Sequence, residues 1–83
     1  MPPTVLLYAR PDCHLCADAR RGLAEMQAAG ADFELREVDV ESDDELFKRY
    51  LERIPVVVID GEEVCDLWLD RGAVRARLAT FSQ

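Results

Sequence analysis

The run Val56-Val57-Val58-Ile59 constrains the fold more than any other part of this sequence. Four consecutive β-branched residues favour a strand, and a run without polar residues is typical of a strand that is buried on both faces. Asp60-Gly61 follows directly and is typical of a hairpin turn, so residues 62 to about 66 are predicted to return antiparallel to the first strand. The sequence therefore predicts a hairpin in the second half of the chain.

The first half of the chain alternates between strand and helix patterns. Residues 5–8 form a continuous apolar run, which predicts another strand buried on both faces. A helix is predicted from about residue 13 to residue 29, with Asp12 as its N-cap and Gly30 in a left-handed conformation after its end. Its apolar side chains recur at helical spacing and form one stripe: Cys16, Ala19, Leu23 and Met26. Gly22 lies inside this helix, at a cost of about 1 kcal/mol relative to alanine.

One more strand and two more helices complete the pattern. Residues 32–40 are predicted to form a strand whose many charges suit the edge of a sheet. Ser42 and Glu45 form a capping-box pattern, which predicts that a short helix follows them. Its apolar face is formed by Leu46, Phe47, Tyr50 and Leu51. The last helix is predicted to begin near Asp70, and its buried stripe is Val74, Leu78 and Phe81.

The predicted order of elements is therefore β-α-β-α-β-β-α. Its first half is a βαβ unit, which implies parallel strands and a right-handed crossover, and its second half contains the antiparallel hairpin. We expect an α/β fold in which helices flank a four-stranded mixed sheet. With 83 residues, the chain is predicted to be a single domain spanning residues 1–83, and a domain of this size buries only roughly 60% of its unfolded surface.

The chain is acidic, with a formal net charge of −7. Because phosphate binding requires clusters of Lys and Arg, this charge argues against nucleic acid as a partner. Residues 32–45 contain eight carboxylates and one cation, Arg36. Their arrangement is typical of a solvated face, and the alternative is a docking site for a basic partner.

The apolar stretches are too short for a signal-peptide core or a membrane span. Three cysteines are an odd number, which fits a secreted, disulfide-stapled fold poorly. The chain is therefore expected to be soluble and cytoplasmic. It is also expected to be a monomer. In such a reducing compartment, a close pair of cysteines is typical of a catalytic or metal-binding site.

Cys13-His14-Leu15-Cys16 is the motif that indicates chemistry. It follows a predicted strand and opens a predicted helix, so the two sulfurs lie on one helical turn within reach of a disulfide. A helix N-terminus stabilises a thiolate through its unpaired N–H groups and its dipole. Cys13 at the helix tip is predicted to be the nucleophile, and Cys16 on the apolar stripe is predicted to be the resolving thiol. His14 and Arg10 favour the thiolate by their charge, whereas Asp12 opposes it.

Other interpretations of the cysteines stay open at this point. A Cys-x-x-Cys pair is often half of a zinc site, and the remaining ligands would have to be His14 and Cys65. Two copies of the chain could share an iron–sulfur cluster. The pair could also be inert thiols. Cys65 itself is typical of a small buried hydrophobic residue near a strand end, and Trp68 and Tyr8 are predicted to pack in the core or at a hinge.

Cys13-His14-Leu15-Cys16 after the first strand and Ile54-Pro55 before the third resemble the glutaredoxin-like branch of the thioredoxin superfamily. The match covers nearly the whole chain in the order and length of its elements. It implies a thioredoxin-like fold and a dithiol oxidoreductase that reduces protein or small-molecule disulfides. It also implies a cis peptide bond at Pro55, with this proline facing the cysteine pair and Ile54 offering its backbone to the substrate.

The resemblance also identifies charged residues that would bind substrate. Glutaredoxins often carry Lys or Arg three residues before the first cysteine, where Arg10 stands, and this group meets a carboxylate of glutathione. Arg53 would assist it, and an ordinary solvated arginine is the alternative for Arg10. Cys65 and Asp66 occupy the stretch in which glutathione meets the backbone, so Cys65 could act as a third thiol near Cys13.

Two departures from the glutaredoxin pattern concern glutathione. The pair between the cysteines is His-Leu where glutaredoxins commonly show Pro-Tyr, and Cys65-Asp66-Leu67-Trp68 replaces a Gly-Gly pair and an Asp. Side chains at the glycine positions would crowd the tripeptide. Glutathione is therefore a candidate co-substrate rather than a requirement, and neither a tightly bound cofactor nor a metal is predicted.

Overall fold

The computed structural model describes residues 2–81. Its four strands are β1 (Thr4–Ala9), β2 (Glu34–Asp39), β3 (Val56–Ile59) and β4 (Glu62–Asp66). They form one sheet in the order β2-β1-β3-β4. β1 pairs in parallel with β2, while the β1–β3 and β3–β4 pairs are antiparallel. The mixed sheet and the edge position of the charged strand are thus confirmed.

Three helices cover the two faces of the sheet: α1 (His14–Ala28), α2 (Asp44–Tyr50) and α3 (Arg71–Ala79). Residues opposite each other on neighbouring strands point to the same face. Tyr8 of β1 stacks on Tyr50 of α2, with ring centroids 4.6 Å apart, so α2 lies on the face to which Tyr8 points. Glu37, opposite Leu7, is hydrogen-bonded to Arg20 of α1, which places α1 on the other face.

Contacts between α1 and the segment that leads into α3 place both helices on the same face. Arg71 donates a hydrogen bond of 2.6 Å to Glu25. A Cβ atom at Gly22 would lie only 2.5 Å from Leu69 Cδ2, so the glycine allows this segment to pack closely on α1. This close approach explains why a residue unfavourable for helices stands inside α1.

The core lies mainly between the sheet and these two helices. Leu7, Leu23, Ile59 and Val74 are fully buried there, together with Cys16. The strand β3 is buried along its whole length, as predicted. In β1 only alternate residues are buried and Leu6 and Tyr8 remain half-buried, so the prediction of burial on both faces was wrong for this strand.

Both predicted N-caps differ from the structure by one residue. Asp12 has a left-handed φ of 58°, and Cys13 is the N-cap of α1. The turn at Pro11-Asp12 therefore delays the start of this helix. A short 3₁₀ helix, Val40–Ser42, likewise precedes α2, whose N-cap is Asp43 instead of the predicted Ser42.

The hairpin between β3 and β4 contains the predicted turn and an unpredicted bulge. Asp60 and Gly61 both have positive φ, at 52° and 77°, as a tight hairpin turn requires. The register then shifts, because Val58 faces Glu63 while Val57 faces Cys65. The extra residue turns the side chain of Cys65 to the face of α1 and α3.

The end of the last helix also differs from its prediction. α3 ends at Ala79, and the C-cap residue Thr80 donates its hydroxyl to the carbonyl of Arg77. Phe81 lies beyond this end and is 41% exposed, so it is not part of the buried stripe. Its ring instead contacts the guanidinium of Arg77, 5.2 Å from the ring centroid.

Candidate functional site

One end of the sheet collects the residues predicted to be functional. Tyr8 near the end of β1 is opposite Val56 at the start of β3, and Val56 is opposite Asp66 at the end of β4. The loop that carries Cys13, the Ile54-Pro55 pair and the segment after β4 therefore leave the sheet at the same end. The topology alone brings these three parts of the chain together.

Cys13 and Cys16 are joined in a disulfide, with their Cα atoms 5.1 Å apart. This separation lies within the range of about 4.4–6.8 Å that a disulfide bridges without moving the backbone. Cys13 is half-buried at the N-cap of α1, whereas Cys16 is fully buried. The backbone N–H of Cys16 donates to the Cys13 sulfur at 3.2 Å, so the helix N-terminus is aimed at this sulfur.

The Ile54–Pro55 peptide bond is cis, as the resemblance implies. The N–H of Leu67 donates to the carbonyls of both Arg53 and Pro55, each at 3.0 Å. Within residues 2–81, the N–H and carbonyl groups of Ile54 have no hydrogen-bond partner. The backbone of Ile54 is therefore available to another chain, while its neighbours on both sides are held in place.

The arginines predicted to bind a carboxylate already contact carboxylates of this chain. Arg10 lies 3.4 Å from Glu41. Arg53 donates to Glu63 at 2.6 Å and lies 3.5 Å from Asp66, so two predicted substrate-binding residues pair with each other. Exposed ion pairs contribute only about 0–1 kcal/mol, and a ligand carboxylate could displace them.

His14 stands apart from these pairs. Its side chain is exposed, and it makes no hydrogen bond or ion pair within the part of the chain that the structure describes. It follows Cys13 directly, and both residues line one cleft of the surface.

This cleft, of about 450 Å³, lies between α1 and the end of β2. Carboxylates of Asp12, Glu37 and Asp39 line it. Arg20 donates two hydrogen bonds to Glu37, at 2.5 and 2.6 Å, and these bonds hold the pKa of Glu37 below its usual value. Asp12 and Asp39 are in no ion pair within residues 2–81, so unpaired carboxylates outnumber unpaired arginines on this side of Cys13.

Exposed apolar side chains also lie at this end of the sheet. Leu15, Leu67 and Trp68 are exposed by 48%, 38% and 67%. The structure thus contradicts the prediction that Trp68 packs in the core or at a hinge. Leu67 has a left-handed φ of 67°, and the N–H of Trp68 donates to the carbonyl of Asp66 at 2.7 Å, so a tight turn carries the indole out of the core. Tyr8, in contrast, packs against the core as predicted.

Cys65 is a half-buried free thiol that is not bonded to Cys13. Burial raises the pKa of this thiol, and a backbone hydrogen bond from Asp70 partly offsets the increase. The carboxylates of Asp70 and Asp66 raise the pKa further. At neutral pH the group is therefore held as the unreactive thiol.

This pKa predicts how Cys65 reacts with alkylating reagents. In the oxidised protein we expect iodoacetamide to modify Cys65 more slowly than free cysteine at pH 7, and the rate should still be rising where free cysteine has reached its plateau. Mass spectrometry of quenched samples measures the rate. Denatured protein is the control and should react like free cysteine. A rate equal to that of free cysteine in the native protein would contradict the assignment.

Within residues 2–81, no three His, Cys, Asp or Glu side chains are grouped closely enough to hold a metal ion. In the same range, none of the helices combines the length and the apolar character needed to cross a membrane.

Known proteins share this architecture. The solution structure of protein Ne2328 from Nitrosomonas europaea superposes with a TM-score of 0.84 and 29% identity, over 94% of this chain and 93% of that one. The X-ray structure of protein XcR50 from X. campestris gives 0.70 and 36%, over 92% and 96%. A malarial protein gives 0.67 over 96% and 97%, and its 14% identity supports the fold alone.

The fold is therefore thioredoxin-like, as the sequence predicts. No curated protein sequence matches the chain significantly. Residues 4–79 match a family model described as a glutaredoxin-like domain, DUF836. Since this match spans nearly the whole chain, the protein belongs to the glutaredoxin-like (DUF836) family.

Proposed function

We propose that this protein is a thiol–disulfide oxidoreductase whose redox couple is Cys13 and Cys16. The observation that carries the proposal is the asymmetry of the pair. The two sulfurs lie within bonding reach at the start of α1, with Cys13 half-buried at the helix tip and Cys16 fully buried behind it. An accessible thiol can attack a substrate, and a buried neighbour can complete the exchange.

The proposed reaction consists of two exchanges. The Cys13 thiolate attacks one sulfur of a substrate disulfide, and the other substrate sulfur leaves as a thiolate that takes up a proton. The thiol of Cys16 then loses its proton and attacks the Cys13 sulfur, which releases the second substrate sulfur as a thiol. The substrate gains two electrons and two protons, while Cys13 and Cys16 become a disulfide. An external thiol reduces this bond and restores the dithiol.

The contacts around Cys13 and Cys16 support roles for the other predicted site residues. The unpaired backbone of Ile54 can hydrogen-bond an extended substrate segment, next to Pro55. Arg10 lines the same cleft as Cys13, where its positive charge favours a thiolate, and His14 adjoins Cys13 in that cleft. Arg53 is paired with Glu63 and Asp66, so a ligand carboxylate would bind it by displacing these two carboxylates.

No tightly bound cofactor is needed, because the two sulfurs carry both electrons. The substrate would be a disulfide of a protein or small molecule, with glutathione as one candidate reductant in a cytoplasmic setting. Oligomerisation is not needed either, since one chain supplies both thiols, and a monomer is sufficient.

Equilibration with glutathione redox buffers tests this function. We expect one two-electron transition between a dithiol and a Cys13–Cys16 disulfide. Mass spectrometry after alkylation of free thiols measures the fraction of each form. The reduced protein should also reduce bis(2-hydroxyethyl) disulfide at a catalysed rate. A Cys65→Ser variant is the matched control and should show the same transition. A pair that stays reduced in every buffer, or a protein that accelerates no disulfide reduction, would overturn the proposal.

A further inference from the structure

The exposed apolar side chains of this protein are concentrated at one place. Among residues 2–81, four large apolar side chains are exposed, and three of them lie at the end of the sheet that carries the cysteine pair: Leu15, Leu67 and Trp68. The fourth, Phe81, lies at the opposite end of the sheet, in a cleft with Thr4 and Asp60. Grouped apolar side chains on a soluble domain mark a surface that binds something.

The three side chains, here named the apolar patch, are positioned by the cysteine motif and by the turn that follows β4. Leu15 lies between the two cysteines in the sequence, and it lines a cleft of about 270 Å³ with Trp68 and Leu69. Leu67 is fixed by its N–H, which bonds the carbonyls on both sides of Ile54. The patch is therefore positioned relative to the unpaired backbone of Ile54 and to the cysteines.

We propose that the apolar patch binds the polypeptide segment that carries the substrate disulfide, and that it selects cystines with an aliphatic or aromatic neighbour. This inference rests on the proposed function, since it names the substrate class of the same dithiol. Burying Trp68 and Leu15 against such a side chain stabilises the encounter. Glutathione has no apolar side chain to place there.

Charge identifies the occupant as a neutral or basic polypeptide. On the other side of Cys13, the cleft contains two carboxylates that are in no ion pair within residues 2–81, Asp12 and Asp39, while its arginines Arg10 and Arg20 are paired with Glu41 and Glu37. Each glutathionyl group carries two carboxylates and one ammonium group, so these carboxylates repel it. Two copies of a chain with a net charge of −7 also repel each other, which disfavours a dimer through the patch.

The size of the patch agrees with a substrate rather than a permanent partner. The patch consists of only three side chains, whereas a stable complex uses about 20–30 residues on each side. A stable complex buries about 800 Å² on each partner. A smaller contact suits a substrate that must leave once its disulfide has been reduced.

Matched peptides test the proposal. Each peptide carries one intramolecular disulfide. On one side of a disulfide cysteine the neighbouring residue is Phe or Ser, and on the other side of that cysteine it is Lys or Glu. With dithiothreitol as the terminal reductant, we expect kcat/KM about tenfold higher for Phe than for Ser. Lys should be preferred over Glu, and salt should reduce this second preference. The Trp68→Ser variant should reduce the preference for Phe to less than about threefold, whereas Phe81→Ser, an exposed aromatic control, should keep it.

A direct signal comes from the indole, because Trp68 is the one tryptophan of the chain. When the Cys16→Ser variant traps a mixed disulfide with the Phe peptide, its fluorescence emission should shift to the blue as water leaves the indole. The Ser peptide should produce a much smaller shift.

The possible failures are distinguishable. If the wild type reduces bis(2-hydroxyethyl) disulfide but treats the Phe and Ser peptides alike, or if Trp68→Ser keeps the preference, the inference about the apolar patch is wrong and the proposed function stands. If the wild type reduces neither the small disulfide nor any peptide, both are wrong.

Discussion

Replacing Cys13 by serine is expected to abolish disulfide reduction, whereas replacing Cys16 by serine should stop the reaction after its first step. A serine hydroxyl is not ionised at neutral pH and cannot attack a disulfide, so Cys13→Ser should show only the uncatalysed background rate. Cys16→Ser keeps the accessible nucleophile but lacks the thiol that resolves the mixed disulfide. It should therefore accumulate a covalent adduct with a protein substrate, detected on a non-reducing gel and by mass spectrometry.

Cys65 is controlled for by making both replacements in a Cys65→Ser background. Since burial holds Cys65 as a thiol, the results should be the same with and without it. Turnover of a protein disulfide by Cys16→Ser at the wild-type rate would show that the dithiol scheme is wrong. A stable adduct formed by Cys13→Ser would show that the roles of the two cysteines are reversed.

Local signals account for the parts of the fold that the sequence predicts correctly. The β-branched run of β3, the Asp60-Gly61 turn and the stripe of α1 each reflect conformational preferences of neighbouring residues. The position of the cysteine pair follows as well, because a Cys-x-x-Cys motif between a strand and a helix can only lie at the helix start. The cis bond at Pro55 is different, since it was implied by the family resemblance and not by local preference.

Features that depend on one residue of backbone geometry were not predictable. Asp12 is a residue type that favours the N-cap position, but the turn at Pro11 places it in a left-handed conformation. Cys13 is therefore the N-cap residue. The bulge in β4 similarly decides which face Cys65 occupies, and no residue type in the hairpin signals it. Shifts of this size are invisible to periodicity, yet they determine that the Cys13 sulfur itself receives an amide of the helix.

Contacts between distant segments were also missed. Arg53 is paired with Glu63, ten residues away and on another element. Trp68 would be assigned to the core by its type alone, but the buried core is formed by other side chains, mainly of β1, β3 and α1. Only the three-dimensional arrangement shows that the indole lies at the surface beside the cysteines, which is why the apolar patch could not be recognised from the sequence.

Replacing Leu23 by alanine is expected to be among the most destabilising conservative changes in this domain. Leu23 is fully buried in the middle of α1, so its truncation should lower the free energy of unfolding by about 2–5 kcal/mol. A domain of this size has only about 4–12 kcal/mol in total, so the change should remove a large fraction of its stability. Urea titration of the oxidised protein measures the effect as a lower midpoint with an unchanged slope.

Leu15→Ala makes the same change at an exposed position of the same helix and should cost less than about 0.5 kcal/mol. Equal losses in the two variants would contradict the burial of Leu23, and with it the packing of α1 that holds Cys16 behind Cys13.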